Sequence, residues 1–453
     1  MKALTKEEKE LLRAVSNRVR LLVEKFLPSA FIFAILLTFI VFIMGLLLTG
    51  EGVLDMTTYW YNGFWDFLAF TTQMVLILVT GYALVKAPPV EKVLIYFASK
   101  PKTQFAALIS TMLVSAAAGF VSWGLGFVIG ALFAIEVAKR VQVADFRLLI
   151  AAGYAAVIAI LPMGLTLTAP LLVNTPGHST EEMIGLVPLT ETIFSPTMVL
   201  IALIGLVVLM YAFTKMMPKA EDVIPFNSEE NGEDLKPKVR MDNTFAEKLN
   251  HSKIINYVLV GLGSLWIIMF FVNNGFDLEL NILNFIFIIL GLALHGSPEG
   301  YLNAIISGMS AAGGILIQFP FYAGIMGMMV GSGLITIISE WFVSFSTEFT
   351  FPVFVYISAA IVNMFVPSAG GQWQIQGPIM LEALQSFNLP PSVVINAVSV
   401  GDMTSNLLQP FFVLPALGLA KLGLKDIWGY AIVAFVLLFI VAVVIFLLTP
   451  VLV

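Results

Sequence analysis

All 23 lysines and arginines of this 453-residue chain fall into five clusters, and positions 254–420 contain none. The clusters lie at Lys2–Lys25, Lys86–Lys102, Lys139–Arg147, Lys215–Lys253 and Lys421–Lys425. A soluble protein spreads its basic residues over its whole surface. A membrane protein confines them to short cytoplasmic segments, because lysine and arginine beside a span resist translocation. Between the clusters run uncharged stretches such as Phe31–Leu48, Met198–Met210 and Ala431–Leu448, apolar enough for bilayer depth. The pattern implies an all-α polytopic membrane protein.

Several classes are excluded at once. With no cysteine, neither a disulfide framework nor a thiolate metal site can form. His178, His251 and His295 are too scattered to ligate one metal. The dipeptide Gly-Lys never occurs, which removes a Walker A phosphate loop. No nucleophile–base pair is visible, so an enzyme is not expected. No cofactor and no nucleic-acid partner are expected either. Transport, if that is the task, is secondary or powered by another subunit.

A span needs about 20 apolar residues. With basic clusters inside, residues 1–27 form a cytoplasmic segment, and crossings follow at 28–49 and 64–86. The first apolar run has no small-residue cleavage site behind it and reads as an uncleaved span. The loop between the two crossings carries Glu51 and Asp55 and belongs outside. Residues 103–140 are apolar with basic residues at both ends, and their middle reads Gly119-Phe-Val-Ser-Trp-Gly-Leu-Gly126. Arms of roughly 21–24 Å fall short of a ~30 Å core, so this is read as a re-entrant hairpin; two short full spans fit the charges equally well. Residues 146–173 cross outward with an interruption at Leu161-Pro-Met-Gly164, and 190–214 return. Residues 215–253 form a cytoplasmic linker, and 254–274 an extra span. A second half, 280–453, then carries crossings at 280–298 and 302–330. A hairpin at 351–386, an interrupted helix at 391–418 and a last crossing at 427–450 complete it. The C-terminus is expected outside.

The second half repeats the first, residues 28–214. Gln73 matches Gln318, Ser122 matches Ser368, Gly130 and Glu136 match Gly377 and Glu382, and Pro170 matches Pro410, all at offsets near 245. The extra span reverses the orientation of the second copy. Two inverted repeats, each with a hairpin and an interrupted helix, are the signature of alternating-access secondary transporters.

Non-helical backbone at membrane depth survives only where it is buried in protein or lines a wet cavity. The hairpin tips and the two interrupted helices therefore mark a candidate site, where helix N-termini suit a carboxylate. Ser122 and Ser368 supply hydroxyls, while Gly124, Gly126, Gly370 and Gly371 admit a ligand close to backbone or serve close helix packing. Trp123 and Trp373 wall a small apolar pocket or seal the hairpins. Gln372 and Gln376 are buried amides that need partners. Thr166 and Thr168 flank the first interruption, Thr404 and Gln409 the second. Asp402 lies in a span without lysine or arginine, and an intramembrane acid is a functional candidate by default. It would take a proton or sit beside a cation held with Ser405 and Asn406, or else be a hydrated structural acid near the outer mouth. No basic residue lies at any break, which favours a monocarboxylate over a di- or tricarboxylate.

The runs Gly63-Phe-Trp-Asp-Phe-Leu-Ala-Phe, Trp123–Ala134, Gln318-Phe-Pro-Phe-Tyr-Ala-Gly-Ile and Asn363–Pro378 resemble the short-chain fatty acid uptake (AtoE-type) family. The resemblance extends from about Pro28 to the last span, and Pro367–Pro378 is its most specific stretch. It implies import of short monocarboxylates such as acetoacetate or butyrate across the inner membrane of a bacterium. That family is grouped with the ion transporter superfamily, which implies a homodimer with an elevator-type motion and co-transport of Na+ or H+. Position 402 departs from the family, where glutamate is frequent. Transport of another small organic anion, and a channel for small acids or ions, are the rival expectations.

Overall fold

A computed structural model describes residues 30–66, 68–174, 178, 180–227, 244–275, 280–367 and 369–452. The expected N-terminal segment 1–27, positions 228–243 of the linker and Ser368 lie outside these residues. In the first half, α1 (Ala30–Leu48), α2 (Val53–Asp66), α3 (Leu68–Lys86) and α4 (Pro88–Ala98) precede a helical pair, α5 (Gln104–Val121) and α6 (Trp123–Arg140). Then come α7 (Phe146–Ile160), the short α8 (Thr168–Val173) and α9 (Pro196–Met216). After the linker, α10 (Lys253–Asn274) leads into α11 (Leu280–His295), α12 (Pro298–Gly308), α13 (Gly313–Gly331) and α14 (Leu334–Val343). The order ends with α15 (Phe351–Asn363), α16 (Ala369–Leu384), α17 (Pro391–Ser405), α18 (Leu414–Ala420) and α19 (Leu424–Leu452).

Local chemistry sets several of these ends. Thr103, Ser195 and Ser252 accept a backbone N–H at the starts of α5, α9 and α10, each satisfying one otherwise orphaned donor. Asp145 does the same for α7, accepting from the Leu148 N–H at 2.8 Å, and its second oxygen takes the Ile224 N–H at 2.9 Å. One carboxylate thus starts a core helix and pins the beginning of the linker to it.

Every residue of α7 except Arg147, and every residue of α17 except Pro391, is buried. A helix covered on all sides needs no polar face, and these two form the centre of the bundle. Both are then interrupted. A 3-10 turn, Leu161–Met163, ends α7, and extended backbone at Gly164 and Leu167 leads into α8. Turns across Asn406–Val413 separate α17 from α18. The short helix after each break packs into the other half: α8 lies against α16 and α17, and α18 lies against α6 and α7.

Two further elements correspond at an offset of 245. The run Thr71–Lys86 bends by 79° into Pro88–Ala98, and Leu316–Gly331 bends by 72° into Leu334–Val343. The proline pair at 88–89 makes the first bend. Gly333, at φ +76°, makes the second.

The structure differs from the sequence-based expectation in three places. The segment expected as an outer loop between 49 and 64 is largely the helix α2, packed along α13. Gly63 and Gly327 permit this: a Cβ on Gly327 would stand 2.7 Å from the Gly63 Cα. The first hairpin turns at Ser122 alone, so its arms are 18 residues each, about 27 Å at 1.5 Å per residue and longer than expected. In the second hairpin the arms do not zip together as α5 and α6 do. Instead α15 lies mainly along α17, while α16 packs on α14 and α17.

Candidate functional site

The break after α17 gathers the polar side chains. Asn363, the last residue of α15, is fully buried. Its Nδ2 lies 2.6 Å from the Asp402 carbonyl oxygen, 2.7 Å from Asn406 Oδ1 and 2.8 Å from Ser405 Oγ. An amide NH2 has two hydrogens, so three oxygens at this range exceed what it can satisfy. Gln409 Nε2 donates to the same Asn406 Oδ1 at 2.7 Å. Ser405 Oγ donates to the Gly401 carbonyl at 2.7 Å. Thr404 Oγ1 reaches Val400 O at 2.8 Å and the Tyr356 hydroxyl at 3.1 Å. Asp402 is only 4% exposed, and its Oδ1 has no hydrogen-bond partner among the described residues. No cation pairs with it among those residues.

At the first hairpin tip Ser122 is extended (φ −158°, ψ 135°) and 1% exposed. Its Oγ has no hydrogen-bond partner among the described residues. The backbone N–H of Trp123, the first residue of α6, donates to Thr166 Oγ1 at 3.2 Å, and Leu165 N–H donates to Phe120 O at 2.8 Å. The tip is therefore stitched to the interruption that follows α7. Trp123 is half-buried, with its ring edge-on to Phe412 at 5.7 Å and to Phe127 at 6.2 Å. It faces residues of the second break.

The remaining expected site residues have other surroundings. A Cβ on Gly126 would stand 2.6 Å from the Gly119 Cα, and one on Gly124 would collide with Ile77 of α3. The close approach these glycines permit is between helices. On Gly370 a Cβ would lie 3.5 Å from Thr168 Cγ2, so the start of α16 meets the start of α8. Gly371 is half-buried beside it. Gln372 Nε2 donates to Ala359 O at 2.9 Å and to Gln376 Oε1 at 2.8 Å, and Gln376 Nε2 donates to Ser358 Oγ at 3.0 Å. These amides tie α16 to α15. Trp373 is fully buried over Gly377.

Sequence reasoning missed Asn363, Tyr154 and Tyr356 as members of this cluster. A lone amide within the apolar run Phe351–Val366 was a signal for the first. Nothing local marks the tyrosines, whose partners lie 252 and 48 positions away. Among the described residues no three His, Asp or Glu side chains gather. A cation held at this break would rest on neutral oxygens and the single Asp402 carboxylate. A cavity of about 240 Å³, lined by Ser195, Ser392 and Asn396 among others, lies at the starts of α9 and α17, away from the breaks.

Residues 11–449 match the family model described as short chain fatty acid transporter. A protein of Escherichia coli K12 named as a short-chain fatty acid transporter is 39% identical over 424 residues, covering 93% of this chain and 96% of its own length. A Haemophilus influenzae protein of the same name is 38% identical over 435 residues, covering 94% and 97%. Among solved structures, the YdaH transporter of Alcanivorax borkumensis is similar at a TM-score of 0.44 and 14% identity, over 93% of this chain and 98% of that one.

Proposed function

The chain belongs to the short-chain fatty acid transporter family, and on that premise we propose that it imports short monocarboxylates of the acetoacetate or butyrate class by cation-coupled symport. It is a transporter and not an enzyme, and its helices are those of a polytopic membrane protein. The observation that carries the coupling is the break after α17. There Asn363 Nδ2 has more oxygens around it than hydrogens, and Asp402, whose backbone carbonyl is one of those oxygens, has a carboxylate oxygen with no hydrogen-bond partner among the described residues. With the Asn363 amide turned over, its Oδ1, the Asp402 carbonyl, Ser405 Oγ and Asn406 Oδ1 converge as four neutral oxygens. A small monovalent cation prefers such a set, and Asp402 supplies the balancing charge.

The acid would bind at the paired tips. The Ser122 hydroxyl, without a hydrogen-bond partner among the described residues, and the start of α6 face its carboxylate, with Thr166, Thr168 and Trp123 adjacent; Ser368, Gly370 and Gly371 take the same role in the second half, with Thr404 and Gln409 on the break side. The absence of lysine and arginine from 103–138, 148–214 and 254–420 favours a single carboxylate over a di- or tricarboxylate. A ligand of roughly six heavy atoms gains at most about −9 kcal/mol, so affinity is expected in the micromolar to millimolar range. The matched bends at 71–98 and 316–343 and the reciprocal packing of α8 and α18 support two inverted repeats and alternating access. An elevator motion, a homodimer and residence in a bacterial inner membrane follow the family resemblance and belong to the same proposal.

The test is butyrate uptake and counterflow in proteoliposomes with sodium and pH gradients imposed separately. Accumulation driven by one of the two gradients is expected. Non-saturable flux that neither gradient drives would favour a channel and end the symport reading.

A further inference from the structure

We infer that Tyr154 is a positioning residue that links the first hairpin tip to the cation site of the second half; the inference rests on the cation-coupled reading above. Tyr154 lies in the middle of α7, 4% exposed, and its hydroxyl donates to the Asn406 carbonyl oxygen at 2.7 Å, 252 positions away. That carbonyl cannot be satisfied by continuing α17. The residue four positions on is Pro410, which has no N–H to offer. A buried carbonyl deprived of its helical donor needs another, and a side chain from the opposite half supplies it.

Asn406 is thereby held from both halves. Its backbone oxygen takes the Tyr154 hydroxyl, while its side-chain oxygen takes Asn363 and Gln409. The ring of Tyr154 leans on Phe127 at 5.3 Å, and Phe127 lies 6.2 Å from Trp123 at the tip and 6.4 Å from Phe412 beyond the break. A continuous packed route therefore runs from the residue after Ser122 to the residue whose oxygens shape the cation site. If the tip shifts when an acid binds, Phe127 and Tyr154 must follow, and the hydroxyl carries the shift to Asn406. Contact alone does not establish coupling, so the decisive quantity is how far the cation changes affinity for the acid.

The experiment measures butyrate affinity in proteoliposomes at zero and saturating coupling cation, sodium or proton as wild type requires. Coupling between sites typically amounts to about 5–150-fold, and wild type is expected within that range. Tyr154→Phe keeps the ring and removes the donor; the ratio should fall to about threefold or less, with the protein still folded by size-exclusion and thermal melting. Phe127→Leu keeps the hydroxyl but loosens the ring behind it and should also lower the ratio; it serves as the test should Tyr154→Phe fail to fold. A full wild-type ratio in the folded variant overturns the role of Tyr154, because a residue that merely stabilises the fold would not move that ratio. A wild type without any cation effect would instead overturn the symport reading on which this inference stands.

Discussion

The side-chain nitrogen of Asn363 lies 2.6 Å from the backbone oxygen of Asp402, so the end of α15 is joined to the last turn of α17. The bond crosses 39 positions of sequence and closes a polar cluster inside an otherwise apolar layer. It also places an amide, whose two ends differ in charge preference, where helix α17 gives up its regular pairing.

Replacing Asn363 by alanine should raise the half-saturating cation concentration by at least about tenfold, since loss of one charged-group contact is worth roughly 1.5–3 kcal/mol. Uptake at graded cation concentration measures it. An unchanged cation curve would remove Asn363 from the site.

Asp402→Asn keeps the shape and discards the charge. Gradient-driven accumulation should disappear while butyrate counterflow persists, because exchange of bound acid does not require a net cation movement. Wild-type accumulation in this variant would show that the carboxylate is structural.

Ser122 Oγ has no hydrogen-bond partner among the described residues, so Ser122→Ala should leave thermal stability in detergent within about 0.5 kcal/mol of wild type. Butyrate KM should nonetheless rise about fivefold, the value of one hydrogen bond of roughly 1 kcal/mol. Equal KM values would take the hydroxyl out of substrate binding.

Gln376→Leu should behave in the opposite way. It strands Ser358 Oγ and leaves one of the two Gln372 Nε2 hydrogens without its acceptor, the other still donating to Ala359 O, and buried groups left unpaired cost about 1–3 kcal/mol each. A lowered melting temperature with an unchanged cation curve is expected; an altered cation curve with normal stability would return Gln376 to the site.

Gly126→Ala places a methyl 2.6 Å from the Gly119 Cα, and neither backbone can give way without opening the hairpin. Destabilisation of about 1–3 kcal/mol is expected, read as early melting. A melting temperature equal to wild type would mean that the two arms are not packed this tightly.

The helices and their breaks were legible because each depends on neighbours within one or two turns. Pro162 and Gly164 end α7, and Pro410 prevents α17 from continuing. The family was legible in Pro367–Pro378, a contiguous run. The partners of the candidate site residues were not legible in the same way. Gln372 and Gln376 stand close to the tip yet turn back to Ala359 and Ser358, and Gly124 faces Ile77 rather than open space. The outer loop expected before α3 proved helical because Gly63 finds a matching glycine on α13, a partner that no local pattern announces.

Read alone, the chain determined that helices cross a lipid phase, where two of them are interrupted, and that a lone acid sits near one interruption. Only the folded packing decided that Asn363 and Tyr154 close upon that interruption from different halves. Periodicity and charge act over a few residues, whereas the partner of a buried amide or phenol is whichever group three-dimensional packing delivers, here 39 and 252 positions away.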